Sequence, residues 1–137
     1  MKILLPVDGS SHSTKAVRYL ARHWPRRADV TLLNVDLPLT ESITRWLDAA
    51  TIEGFHADNS KAALKQARQV LKRSGHAFKE RTLVGDPATE TVRLAQKGHY
   101  DLIIMGSHGR GAVKSLFLGS VVTKVLSTSR VPVLVVR

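Results

Sequence analysis

Five short apolar runs alternate along the chain with longer stretches in which apolar residues recur at helical spacing. The first run, Lys2 to Val7, stops at Asp8-Gly9-Ser10-Ser11, residues that turn a chain and cap a helix. From Ser13 onwards Ala16, Val17, Leu20, Ala21 and Trp24 fall on one helical side, and Pro25 ends the pattern. Val30 to Val35 reads as a second strand ending at Asp36. Strand, helix and strand within about thirty residues make a right-handed crossover and predict a parallel sheet.

Residues 37–59 are less patterned. Pro38 marks a turn, and Ile43, Trp46 and Leu47 fit a short helix. A longer helix then runs to about Arg73, with Ala62, Ala63, Ala67, Val70 and Leu71 on one side and Ser74-Gly75 closing it. Phe78 to Val84 is a third strand, and its Lys79, Glu80 and Arg81 suit a sheet edge. In Gly85-Asp86-Pro87, Asp86 occupies a cap position and Pro87 the first helical one. That helix carries Thr91, Val92, Leu94 and Ala95 and ends near Gly98. Asp101 to Met105 is the fourth strand, Gly119 to about Ser127 the last helix, and Val131 to Val136 the last strand. The alternation predicts one α/β domain over residues 1–137, an open and mostly parallel sheet with helices on both faces. Repeats, low-complexity tracts and linkers are absent from the sequence.

The chemistry concentrates between Met105 and Val122, where Gly106, Gly109, Gly111 and Gly119 follow an apolar run and lead into a helix. Glycine lets backbone approach a ligand closely, and a helix start offers unpaired amides and a positive dipole end. Together these make a phosphate cradle. Two familiar motifs fail on spacing. Lys114-Ser115 resembles the end of a Walker loop, but Val113 stands where its second glycine belongs. Gly106, Gly109 and Gly111 fall as Gly-x-x-Gly-x-Gly, not the dinucleotide order, and they lie far from the first strand.

What remains, Gly106-x2-Gly109-x9-Gly119-Ser120, resembles the nucleotide-binding signature of the universal stress protein family in its ATP-binding branch. The likeness spans the chain, from Ile-Leu-Leu-Pro-Val-Asp-Gly-Ser at the start, through Gly-Ser-His-Gly-Arg-Gly and Leu-Gly-Ser-Val, to Val-Pro-Val-Leu-Val-Val at the end. It implies a five-stranded parallel sheet of order 3-2-1-4-5, of the adenine nucleotide alpha hydrolase-like type. Asp8-Gly9 and Gly106-Ser107 would then face each other across one crevice, at the reversal of strand order where such sheets bind ligands. The resemblance further implies that Asp8 meets the adenosine end of ATP and that Val35 meets adenine through its main chain. Read as residues alone, Asp8 also suits helix capping and Val35 is a buried strand residue. Pro6 either fixes the exit of the first strand or lines the base pocket, and Met105 opens the glycine stretch. Gly109, Gly119 and Ser120 are expected at the phosphates, with amides of Val121 and Val122 beyond. Arg110 offers a bidentate fork to phosphate oxygens. Lys114 is a weaker candidate for the same anion. His108 lies inside the motif among the candidate nucleotide-binding residues, where an imidazole could assist at phosphate or sense pH, and its default reading is structural. Leu116-Phe117-Leu118 is expected to pack beneath the site.

Composition narrows the partners. The chain carries no cysteine, which excludes disulfides and thiolate metal sites and is compatible with a cytoplasmic address. Its six histidines show no metal-ligand spacing, so a Mg2+ ion would arrive with the phosphates and keep most of its waters. No apolar run is long enough to span a bilayer, and the N-terminal run lacks the cleavage pattern of a signal peptide. A net charge of +10 invites polyanions, so nonspecific nucleic-acid affinity is expected at low salt. Aromatic residues make up only 5% of the chain, which argues against a base-stacking platform. The apolar strand Val131 to Val136 would be an exposed edge, and the resemblance implies a homodimer through it. The expected function is an ATP-dependent stress-response sensor or regulator with at most slow hydrolysis. Its rivals are a nucleotide-free interaction protein and a phosphotransferase or adenylyl transferase using the same crevice.

Overall fold

The computed structural model describes residues 1–109 and 117–137, so Arg110, Gly111, Lys114 and Leu116 lie outside the described residues. The elements follow in the order β1 (Lys2–Pro6), α1 (Ser11–His23), β2 (Asp29–Asp36), α2 (Glu41–Thr44), α3 (Ala49–Ser74), β3 (Phe78–Val84), α4 (Pro87–Lys97), β4 (Leu102–Gly106), α5 (Ser120–Thr128) and β5 (Val133–Val136). The five strands form one parallel sheet of order β3-β2-β1-β4-β5. The expected architecture is therefore the observed one. Val131 and Pro132 precede the last strand instead of opening it, although the Pro132 carbonyl still accepts from Ile103 N at 2.9 Å.

Central strands buried on both faces must be apolar at consecutive positions. Ile3, Leu4 and Leu5 of β1 are all fully buried, as are Leu32 and Leu33 of β2 and Ile103 and Ile104 of β4. Successive side chains point to opposite faces of a strand. Ile3, Leu5, Leu32 and Ile104 accordingly pack with Val17, Leu20, Leu64 and Leu71 from α1 and α3. Leu4, Leu33, Ile103 and Met105 pack with Val92, Ala95, Val122 and Val125 from α4 and α5. The sheet thus separates two cores, each with its own pair of helices.

Local chemistry sets the helix ends. Ser10 caps α1 by accepting from Ser13 N at 3.2 Å, Asp48 caps α3, and Asp86 caps α4. Gly75 ends α3 at φ +75°, a left-handed conformation that favours glycine. Residues 49–59, poorly patterned in sequence, are the first turns of α3. Phe117 is 81% exposed and does not pack beneath the site, whereas Leu118 does join the core on the α4 and α5 side. The Phe117 carbonyl, not its ring, is the part turned inward, toward His108.

Candidate functional site

Two chain reversals meet at the carboxyl ends of β1 and β4. The first is the turn after β1. Val7 N donates to the Leu33 carbonyl at 2.8 Å and extends the ladder past Pro6. Asp8 then accepts from Ser10 N at 2.9 Å through Oδ1, and Gly9 takes φ +83° to complete the turn. Capping of α1 falls to Ser10, so the Asp8 carboxylate serves the turn and faces the space beyond the strand.

The second reversal follows β4. Ser107 N donates to the Val136 carbonyl, and Ser107 is itself buried. Two bonds then draw the chain together across residues 109–116. Gly119 N donates to the Ser107 carbonyl at 2.9 Å, and His108 Nε2–H donates to the Phe117 carbonyl. With Nε2 as the donor, Nδ1 accepts from Ser107 Oγ at 2.9 Å, so the ring is held at both nitrogens. The structural reading of His108 has a physical basis here, since its imidazole ties Ser107 to Phe117. His12 of α1 lies against it, ring centroids 5.0 Å apart.

Two glycines here lie in close quarters, one against backbone and one against a side chain. A Cβ on Gly106 would come within 2.5 Å of the His12 carbonyl carbon and oxygen. No rearrangement of a side chain relieves that contact, so Gly106 is what allows α1 to pack against the end of β4. A Cβ on Gly109 would lie 2.8 Å from Asp8 Oδ2. The glycine segment and the tip of β1 therefore touch, which is the convergence expected from the sequence.

Between them lies a cleft of about 110 Å³. Pro6, Asp8, Val35, Met105, Gly106, His108, Gly109 and Val121 of the expected set line it. Gly119 and Ser120, the cap and first residue of α5, are not among its lining residues, and Ser120 is exposed; Arg110 lies outside the described residues. Val122, also expected near the phosphates, lines the cleft too, while Val7, Ser13, Leu33, Pro87 and Thr91 complete the walls and were not anticipated. Strand alternation could have found Leu33, which shares a face with Val35, but Pro87 and Thr91 reach the cleft only through the docking of α4.

The start of α5 has no side-chain cap and no acidic residue in its first turn. The first amide of α5 with a helical partner is that of Thr123, which donates to the Gly119 carbonyl at 3.0 Å. The amides before it and the positive end of the dipole form an anion-attracting point beside the cleft-lining Val121 and Val122. The wall opposite is braced by Asp86, whose Oδ2 accepts from Thr89 N, Thr89 Oγ1 and Lys124 Nζ at 3.0, 2.6 and 2.9 Å. The Thr89 hydroxyl first, then the Lys124 ammonium, hold this carboxyl well below the usual range.

A second cavity of about 190 Å³ adjoins the first and shares Asp8, Val35 and Pro87 with it. Asp36, Asn34 and Asn59 add polar groups. Burial acts to raise the Asp36 pKa, but hydrogen bonds from His56 at 2.7 Å and Asn59 at 2.9 Å outweigh it and keep the carboxyl ionised. Asn34 Nδ2 donates to the Val7 carbonyl, while its buried Oδ1 finds no partner among the described residues. Also among the described residues, no three His, Asp or Glu side chains converge on a metal position, and no helix is long and apolar enough to cross a membrane.

Comparison with known proteins gives a consistent answer. The model of the universal stress protein family matches residues 1–137. Universal stress protein MJ0577 of Methanocaldococcus jannaschii is 30% identical, with 99% of this chain and 94% of that protein aligned. A universal stress protein of Thermus aquaticus is 34% identical over 98% of this chain and 97% of its own length. The solved MJ0577 structure superposes with a TM-score of 0.82 at 31% identity, covering 98% of this chain and 94% of that one. A universal stress protein solved in complex with cAMP superposes with a TM-score of 0.75 at 26% identity, covering 100% and 97%.

Proposed function

Since this chain belongs to the universal stress protein family, we propose that it binds ATP in the cleft at the ends of β1 and β4 and acts as a nucleotide-dependent stress-response regulator. One observation carries the reading. The uncapped start of α5, the glycine neck and the Asp8 carboxylate all border the same small cleft. The base occupies the apolar part bounded by Pro6, Val35 and Met105, with the main chain of Val35 at its edge. Asp8 accepts from a ribose hydroxyl or an amino group. The phosphates lie toward Gly109, Gly119 and Ser120 and the amides of Val121 and Val122, where Arg110 adds charge. A Mg2+ ion bound with the phosphates would neutralise part of their charge. A relative solved with cAMP supports an adenine nucleotide as the class of ligand.

Binding with slow turnover at most is the mode we propose. Phosphoryl transfer to water needs a group that orients the attacking molecule. The Asp8 carboxylate is engaged by the Ser10 amide in its own turn, a role that favours recognition over catalysis. The proposal includes a cytoplasmic location and a homodimer through β5. Support for the dimer comes from the two sheet edges. β3 presents Lys79, Glu80 and Arg81 to solvent, whereas β5 presents four half-buried residues, Val133 to Val136, all apolar. An apolar edge with unpaired backbone is the one that invites a twin.

The test is direct. Denatured protein should release ATP or another adenine nucleotide, identifiable by chromatography, and nucleotide-free protein should bind ATP in calorimetry. Neither release nor binding would return the chain to the interaction-protein reading, and rapid turnover of labelled ATP would promote the enzyme reading.

A further inference from the structure

The fold divides the net charge of +10 unevenly between its two faces. Helices α1 and α3, on one face of the sheet, carry eight lysines and arginines against Glu53 and Asp58. Helices α4 and α5, on the other, carry Arg93, Lys97 and Lys124 against Glu90. The sharpest concentration is a groove of about 320 Å³ between α1 and the end of β5, lined by Lys15, Arg18, Tyr19, Arg22, His23 and Arg137 with Val136. Lys15, Arg18 and Arg22 fall at i, i+3 and i+7, one stripe of the helix. The sequence of α1 contains no acidic residue, and none of the three forms an ion pair among the described residues. On α3, α4 and α5 some cations are answered, as in Arg68 with Glu80, Arg93 with Glu90 and Lys124 with Asp86. Arg18 and Arg22 stand at i, i+4, a like-charge pair that costs a helix free energy until an anion lies between them.

The same stripe carries rings. Tyr19 is 37% exposed, and its centroid lies 4.3 Å from that of His23 at 38°, with Trp24 next at 6.2 Å. The overall scarcity of aromatics had argued against base stacking, but the helix places this ring pair between its cations. Phosphates bound to the stripe would bring their bases over Tyr19.

We propose that the groove between α1 and β5 binds single-stranded nucleic acid, its cations on the phosphates and Tyr19 under a base. A duplex hides the faces of its bases and would use the charge alone. The site is separate from the nucleotide cleft and does not depend on it, since none of its lining residues is shared.

Fluorescence anisotropy of the full chain with a labelled oligo(dT) of about 12 nucleotides at about 50 mM salt tests this. Arg18→Glu/Arg22→Glu is compared with Lys97→Glu/Arg130→Glu, which makes the same charge change at exposed positions elsewhere. The groove variant should weaken binding at least about tenfold more than its control, and its salt slope should fall by about 1.4 for two lost phosphate contacts. Tyr19→Ala should weaken the single strand by roughly tenfold and leave a duplex of the same length unaffected. Should the double variant unfold, Lys15→Ala/Arg18→Ala replaces it. Equal losses in the groove and control variants would make the affinity a property of net charge and overturn the site. An unaltered single-strand affinity in Tyr19→Ala, or no binding by the natural chain, would do the same.

Discussion

The two faces of this sheet are built from the same strands and do different things. On the α1 and α3 side the largest core residues line no part of the cleft: Leu5, Leu20, Leu32, Leu64 and Leu71 are fully buried beneath helices whose outer surfaces are strongly basic. On the α4 and α5 side the core opens at its end into the cleft, so that Leu33, Met105 and Val122 belong both to the packing and to the walls. The difference shows how one strand serves stability and binding at once. Side chains alternate, so neighbours in sequence answer to different constraints.

Leu32 and Leu33 offer the strongest way to break that comparison. Both are fully buried, and alanine at either should cost about 2–5 kcal/mol in urea unfolding, as for other large-to-small core changes. Only Leu33→Ala should also weaken ATP binding, because only Leu33 lines the cleft. Equal nucleotide affinities in the two variants would place the ligand elsewhere.

Gly109→Val should cost little stability but more than tenfold in ATP affinity. Its Cβ would press on Asp8 Oδ2, 2.8 Å away, so the substitution displaces the carboxylate as well as crowding the phosphates. Calorimetry alongside a thermal melt separates the two effects. Gly106→Ala is the contrast within the motif, expected to lower stability by about 1–3 kcal/mol through overpacking, because it strikes the backbone of His12.

Asp8→Ala should weaken adenosine recognition by about 1–3 kcal/mol while ATP retains its hold through the phosphates. A comparison of ATP with inorganic triphosphate sharpens this, since only the former should respond.

The smallest effect is at Asp86. Loss of this cap should cost about 1 kcal/mol. Its folded pKa is depressed, so the stabilisation is present above the ordinary carboxylate pKa of about 4 and is lost as pH falls below that toward the folded value. Asp86→Ala should therefore be less stable by about 1 kcal/mol at pH 7, a deficit that shrinks as pH falls below about 4 and so flattens the acid limb of the stability profile.

Much of this molecule was legible in one dimension. Short apolar runs and helical spacing, with Ser10, Asp86 and Gly75 as punctuation, identified the strands and the main helices. The glycine spacing pointed to the neck around residues 106–119. The start of α3 was obscure because its first turns bury little, so no apolar stripe marks them. Phe117 was misplaced because an apolar triplet does not reveal which residue turns its carbonyl inward.

What the sequence determined was local or periodic: which segments are strands, where helices begin, and that glycines cluster beside a helix start. What only the tertiary structure decided was adjacency. That Gly109 rests on Asp8, that His108 clasps Phe117, and that the arginines of α1 share a groove with β5 all follow from strand order and helix docking. Such contacts join residues far apart along the chain, and packing on the two faces of the sheet chooses which of them meet.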